Sequence, residues 1–180
     1  MQMGNRQLVN RLYQHGFTLT ELLVTLSVAS ILLTVAVPSY RMFVQDNLLT
    51  MQSNNFYSAL ALAKSEAIRR SRSITLCPST NGTGCTGGVV WSNGWLVFLD
   101  VNNNGVVEAG EEILQVGPAF TGGNTFTGAK PRVIFTANGF SMGSNDTFTL
   151  CDSRGASYSK AIILNNQGRF RSEIGTGTCG

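Results

Sequence analysis

The chain has 180 residues, room for one ordinary domain and an appendage but not for two full domains. Charged residues make up 13%, hydrophobic residues 43%, and 20 residues are glycine, which excludes a disordered chain and suits a β domain with many glycine turns. The formal charge is +3 with a single histidine, His15, so the chain beyond it holds no Ser-His-Asp, Cys-His or histidine-metal arrangement. An enzyme is therefore the least favoured class, and no cofactor is expected.

Residues Met1–Gly16 are polar, with Arg6 and Arg11 and no acid, whereas Phe17 to Val37 is almost wholly apolar and Pro38 follows. As a helix the apolar run spans about 30 Å, enough to cross a bilayer. No small-residue cleavage site stands out after Val37, so an ordinary secretory signal does not fit. The basic leader predicts that Met1–Gly16 stays in the cytoplasm and that the bulk of the chain is exported. Glu21 interrupts the apolar run; a charge there costs about 2.5–3.5 kcal/mol at a membrane-helix centre and less toward an edge. It is either a chance charge near the interface or a carboxylate that needs a buried cationic partner.

The run Gly16-Phe17-Thr18-Leu19-Thr20-Glu21-Leu22 behind a short basic leader resembles the class III signal of type IV prepilins and pseudopilins. The resemblance implies that a prepilin peptidase cuts between Gly16 and Phe17 and that Phe17 becomes N-methylated. It implies that Glu21 pairs with the N-terminal amine of a neighbouring subunit during assembly, and that the helix bends near Pro38. Other pilins would be the partners. The protein would be a single-pass inner-membrane chain with a periplasmic head, and part of a surface filament once assembled.

Beyond Pro38 the helical pattern continues through Tyr40, Val44, Leu48 and Met51, then Phe56, Leu60, Ala63 and Ala67. Arg69, Arg70 and Arg72 sit where bases favour a helix C-terminus. The helix is expected from about Phe17 to Arg70. After the β-like Ser73–Cys77, alternating runs recur at Gly94–Asp100, Glu112–Val116, Arg132–Phe135, Thr147–Asp152, Ala161–Leu164 and Arg169–Glu173. Turn signals lie between them at Asn81-Gly82, Asn104-Gly105, Asn138-Gly139 and Gln167-Gly168. The expected class is α+β, a long N-terminal helix followed by an antiparallel β head. The divisions are a leader (1–16), a transmembrane and filament-core helix (17–38), its amphipathic continuation (39–72) and the head (73–180).

Cys77, Cys85, Cys151 and Cys179 allow three pairings, and no CxxC pair suggests zinc or redox chemistry. An exported head meets an oxidising compartment, which favours disulfides. Cys77–Cys85 would close the Pro78–Gly84 loop, and Cys151–Cys179 would tie the tail to a strand. Asp100 to Glu111 fits a calcium-loop pattern, with Asp100, Asn102, Asn104 and Glu111 as candidate ligands. Its flanks read as strands, however, and an Asn/Gly hairpin loop explains the same residues. That loop, Leu76–Cys85 and the Trp91…Trp95…Asp100 stretch resemble the head of the GspH/FimT family of minor pilins and pseudopilins, in which this turn is common without an established calcium role.

The last third is locally basic. From Lys130 onward there are six bases (Lys130, Arg132, Arg154, Lys160, Arg169, Arg171) against Asp146, Asp152 and Glu173. On a strand, Arg169 and Arg171 share one face about 6.8 Å apart, while Phe170 faces the other way. Two guanidinium groups so placed suit successive phosphates, with Lys160 and Arg154 as extensions of the patch. Solvated arginines guarding an edge strand would look the same. Gly168-Arg169-Phe170-Arg171 resembles the C-terminal Gly-Arg-x-Arg motif of FimT-type minor pilins, which implies binding of double-stranded DNA in natural transformation. The alternatives are a structural pilus-tip adaptor, a secretion pseudopilin, or a calcium-stabilised assembly module.

Overall fold

The structure is a computed structural model that describes residues 16–179. Most of the expected leader, residues 1–15, lies outside the described residues. The chain divides into two units, Met1–Met42 and Phe43–Gly180, and helix α1 (Leu19–Arg70) supplies residues to both.

In the first unit, Thr18 starts the helix. The Glu21 N–H donates to the Thr18 hydroxyl at 3.2 Å, and the Thr18 N–H donates to the Glu21 carboxylate at 3.4 Å. This reciprocal Thr-x-x-Glu cap satisfies two N–H groups at a helix start. Glu21 thus has a local structural role besides the cationic partner expected for it. The following segment is long and apolar enough to cross a membrane, and its residues are exposed. Its hydroxyls are already satisfied: Thr25, Ser27, Ser30 and Thr34 donate to carbonyls three residues back at 2.8–2.9 Å. In an apolar medium each would otherwise carry a desolvation cost. Pro38 lies inside the helix.

In the second unit α1 buries Leu49, Gln52, Ser53, Phe56, Ala59, Leu60, Ala63 and Ala67. The expected face is right from Phe56 onward and wrong before it. Val44 and Met51 are exposed and Leu48 is half-buried. A polar residue takes the inward position instead, because its groups are paired. Gln52 donates to the Thr121 carbonyl at 3.0 Å and accepts from the Asn124 amide at 2.7 Å.

Eight strands follow: β1 (Ile74–Pro78), β2 (Trp95–Leu99), β3 (Ile113–Gly117), β4 (Thr125–Thr127), β5 (Val133–Phe135), β6 (Asp146–Cys151), β7 (Lys160–Leu164) and β8 (Phe170–Ile174). All pair antiparallel, in two sheets of order β3-β2-β1-β5 and β4-β6-β7-β8. The expected strands appear within a residue or two. Strand β4 and a 3-10 turn at Ala156–Tyr158 were not expected; each is only three residues, too short for a periodic pattern.

Both sheets face the helix. Ile74, Leu76, Trp95, Val97, Val133 and Phe135 from the first sheet meet Phe126, Phe148, Leu150, Ile162 and Leu164 from the second, with the helix residues among them. Phe56 is the meeting point. Its ring centroid lies 5.3 Å from Trp91, 5.4 Å from Trp95, 4.8 Å from Phe126 and 4.9 Å from Phe148.

The outer face of the first sheet is covered as well. Cys77, Leu96 and Phe98 form a second apolar cluster under Cys85, Val107 and Ile113. The structure joins Cys77 to Cys85 and Cys151 to Cys179, which settles the pairing left open by the sequence. The first bond holds the Pro78–Gly84 loop over that cluster. The second holds the tail across the outer face of the second sheet, where Gly177 abuts Thr149 and Ser159.

Phe56→Ala should destabilise residues 43–180 by about 3–5 kcal/mol, since one truncation opens a cavity lined by four rings. Urea unfolding measures this, and a loss below about 1 kcal/mol would contradict the central packing described here.

Candidate nucleic-acid interface

The arginine-bearing strand is placed by a tight hairpin. The Asn165 N–H donates to the Arg169 carbonyl, and the Gly168 N–H to the Asn165 carbonyl, both at 3.0 Å. The Asn165 side-chain oxygen accepts from the Gln167 N–H at 3.1 Å and the Arg169 N–H at 2.9 Å. Gly168 adopts φ +70°, and a Cβ there would lie 2.1 Å from the Gly139 carbonyl oxygen. Glycine is required on both counts. Helix α1 pins the tip further: Lys64 Nζ donates to the Gly168 carbonyl at 2.9 Å, and the Tyr57 and Phe170 rings lie 4.6 Å apart.

With Phe170 against the core, Arg169 and Arg171 take the opposite, solvent-facing side of β8, and both are exposed. Arg171 Nε donates to Glu173 Oε1 at 2.7 Å, and its side chain remains 64% exposed. The Arg169 side chain has no hydrogen-bond or ion-pair partner among the described residues. Beside them is a hollow of about 560 Å³ lined by Asn145, Thr147, Ile163, Asn165, Asn166 and Gln167 among others. Lys130 reaches one wall of it, donating to the Gly143 carbonyl and at 3.5 Å to Asn145 Oδ1. Its position depends on two hairpins meeting in space, which no local pattern signals.

The other two expected cations are not brought to this face. Lys160 pairs across from Ile174 on the helix side of the sheet, where its amine donates to Thr50 Oγ1 at 2.9 Å. Arg154 is also turned onto the helix. Its Nη2 lies 2.7 Å from Asp152 Oδ2 and 2.8 Å from Asp46 Oδ1, and its guanidinium stacks on Tyr158 at 4.2 Å. The hydrogen bond Arg154 donates to the Asp152 carboxylate, with the Asp46 carboxylate beside it, raises the Arg154 pKa above its ordinary value despite partial burial. The expected four-cation patch thus narrows to Arg169 and Arg171. Strand parity explains Lys160: even-numbered residues of β7 face the core.

The Asp100–Glu111 loop is held by its own bonds. Asp100 accepts from Thr75 Oγ1 at 2.7 Å and from the N–H groups of Asn104 and Gly105 at 3.1 and 3.0 Å. Glu111 accepts from the Val101 and Glu108 N–H groups, and Glu108 from the Asn102 and Asn104 amides. The four candidate ligands Asp100, Asn102, Asn104 and Glu111 include only two carboxylates, and no group of three or more His, Cys, Asp or Glu side chains placed to hold a metal lies among the described residues. Their carboxylates and amides instead fix the lid that carries Val107 over the first sheet. Gly16 and Phe17, at the expected cleavage bond, are exposed and precede the helix.

A helix with an apolar, membrane-length N-terminal part and an antiparallel two-sheet head packed on its C-terminal part define a pilin-type filament subunit. The chain belongs to the GspH family: the model for type II transport protein GspH matches residues 52–168, and the prokaryotic N-terminal methylation motif matches residues 11–37. It is thus a minor pilin or pseudopilin, of a class that assembles with other pilins. Among curated proteins none matches the sequence. Similar folds include the type IV minor pilin FimU of Pseudomonas aeruginosa, at 21% identity and TM-score 0.59 over 75% of this chain and 95% of that one. The minor pseudopilin EpsH from the type 2 secretion system of Vibrio cholerae is similar at 10% identity and TM-score 0.51, covering 72% and 98%.

Gly168→Ala should lower the stability of residues 43–180 by more than about 1 kcal/mol, because both the positive φ and the Gly139 contact oppose a methyl group. Thermal unfolding measures this; an unchanged Tm would mean that the tip is not held as described.

Proposed function

We propose that this chain is a DNA-binding minor pilin that captures extracellular double-stranded DNA for uptake in natural transformation. The supporting observation is the pair of exposed guanidinium groups, Arg169 and Arg171, on the solvent face of a pinned strand. Phosphate oxygens are their natural ligands, since arginine forks match them bidentately. The Arg171–Glu173 pair does not preclude this, because an exposed ion pair is worth only about 0–1 kcal/mol and a phosphate can displace it. No base-reading helix or ribbon accompanies the arginines among the described residues, so binding follows the backbone and not the sequence.

The test is a gel-shift titration of residues 43–180, which hold the head's own core and both disulfides. Random-sequence duplex should bind, and Arg169→Gln/Arg171→Gln should weaken binding at least about tenfold while the head stays folded. Raising salt should weaken wild-type binding with a log–log slope near −2, about −0.9 for each of two neutralised phosphates. Lys160→Gln should leave that slope unchanged, given its place on the helix side. Wild-type binding by the double variant would remove the arginines from the site. No binding by the wild type even at low salt would leave a structural filament subunit, as a tip adaptor or secretion pseudopilin.

Maturation belongs to the same reading: prepilin peptidase cuts after Gly16, and Phe17 becomes the methylated N-terminus of an inner-membrane subunit whose head is periplasmic. The motif match over residues 11–37 supports it. Mass spectrometry of membrane-extracted protein should find a chain beginning at methyl-Phe17. Glu21→Ala should be cleaved normally yet assemble poorly, and a mature terminus beyond Val37 would refute the scheme.

A further inference from the structure

The hollow beside Arg169 is walled by side-chain amides, and their hydrogen bonds fix which way each one faces. Asn165 Oδ1 accepts from the Gln167 and Arg169 N–H groups at 3.1 and 2.9 Å. Asn166 Oδ1 accepts from the Gly143 N–H at 3.1 Å, and Asn145 Oδ1 faces the Lys130 amine at 3.5 Å. A backbone N–H or an ammonium only donates, so the amide atom it meets is the oxygen and not the nitrogen. The three NH2 groups are left over, and none meets an acceptor among the described residues. Asn145, Asn165 and Asn166 all line the hollow, and Asn165 also lines a smaller one with Arg169 and Arg171.

Strand register sets these groups in line with the arginines. Arg171 pairs with Ile163 and Ile163 with Thr147, so the three share a row on the outer face of the second sheet. Two residues toward the hairpin end, the Arg169 carbonyl accepts from Asn165, and the β6–β7 register continued places Asn145 across from Asn165. From β8 to β6 this second row crosses two strand spacings, about 10 Å. The Asp146 carboxylate also lines the hollow, but it is buried, and its oxygens accept the N–H groups of Ala129, Lys130 and Thr147. The row therefore runs from a guanidinium through neutral donors, with the nearby acceptors already engaged. Such a surface matches a ligand whose exposed atoms only accept, as the non-bridging oxygens of a phosphodiester do.

We infer that the amide groups of Asn145, Asn165 and Asn166 are further phosphate-binding groups, and that a DNA backbone runs from the β8 arginines across the hollow to Asn145. The inference rests on the DNA-binding reading and adds a direction to it: phosphates are held across the strands as well as along β8. The two kinds of donor respond differently to salt. An arginine that neutralises a phosphate releases counterions, whereas a neutral amide adds a hydrogen bond and no charge, so its loss lowers affinity and leaves the salt slope alone.

Titration of the full chain in non-ionic detergent with random-sequence duplex, over a series of salt concentrations, tests this. Asn145→Ala/Asn166→Ala should weaken binding at least about tenfold with the wild-type slope retained. Arg169→Gln, in contrast, should flatten the slope by about 0.9. Asn145→Gln keeps an amide and should bind within about threefold of the wild type. Thermal unfolding shows which variants fold. If the loss of Asn166 unfolds the chain, Asn145→Ala alone should weaken binding at least about threefold, since its amide bonds only to Lys130. Wild-type affinity in the folded alanine variants overturns the inference and leaves the arginine site standing. A slope that flattens along with the affinity also overturns it, because the amides would then act by holding a cation in place. Duplexes of A·T pairs alone and of G·C pairs alone should bind alike; a strong preference would set the amides against base edges and overturn their assignment to phosphate. No binding by the wild type even at low salt refutes the DNA reading itself, and this inference with it.

Discussion

The head depends on what the helix places between the sheets. No strand is shared by the two sheets, so their own ladders do not fix one against the other, and the hydrogen bonds between them run through loops, as from the Trp91 N–H to the Phe126 carbonyl. Phe56 does so by packing: Trp95 comes from the first sheet, Phe126 and Phe148 from the second, and Trp91 from the β1–β2 loop, all on one ring. Edge-to-face contacts of this kind have preferred geometries as well as area, so they set orientation in addition to holding the sheets together. The same helix continues this control to the hairpin tip through Tyr57 and Lys64. The position of Arg169 is therefore a consequence of the helix, although the arginine itself is exposed.

The two sheets are treated differently on their outer faces, and that difference locates the candidate site. The first sheet is closed by the Cys77–Cys85 loop and by the Asp100–Glu111 lid, which together cover a second apolar cluster. The second sheet is covered only where the disulfide-tied tail crosses Thr149 and Ser159. What remains open is the hairpin end, which carries two arginines and a row of asparagines. Glu173 moderates this surface: it holds one guanidinium while leaving Arg169 unopposed. A weakly cationic face of this kind suits a polyanion held at several points better than a single small anion held tightly.

Much of this was legible from sequence because the signals were periodic or conformational. The apolar run before Pro38, the three- and four-residue spacing from Phe56 to Ala67 and the Asn-Gly turns each report a local preference that tertiary structure then kept. The helix face at Val44 and Met51 was misread because Gln52, a buried polar residue, occupies the inward position and is invisible to a hydrophobic pattern. Glu21 read as a chance interfacial charge or as a carboxylate in need of a cation, since its cap with Thr18 involves hydrogen bonds that hydropathy does not weigh. Arg154 and Lys160 counted toward a basic tail by proximity in the chain, but side-chain direction, not local charge, decides what a patch contains.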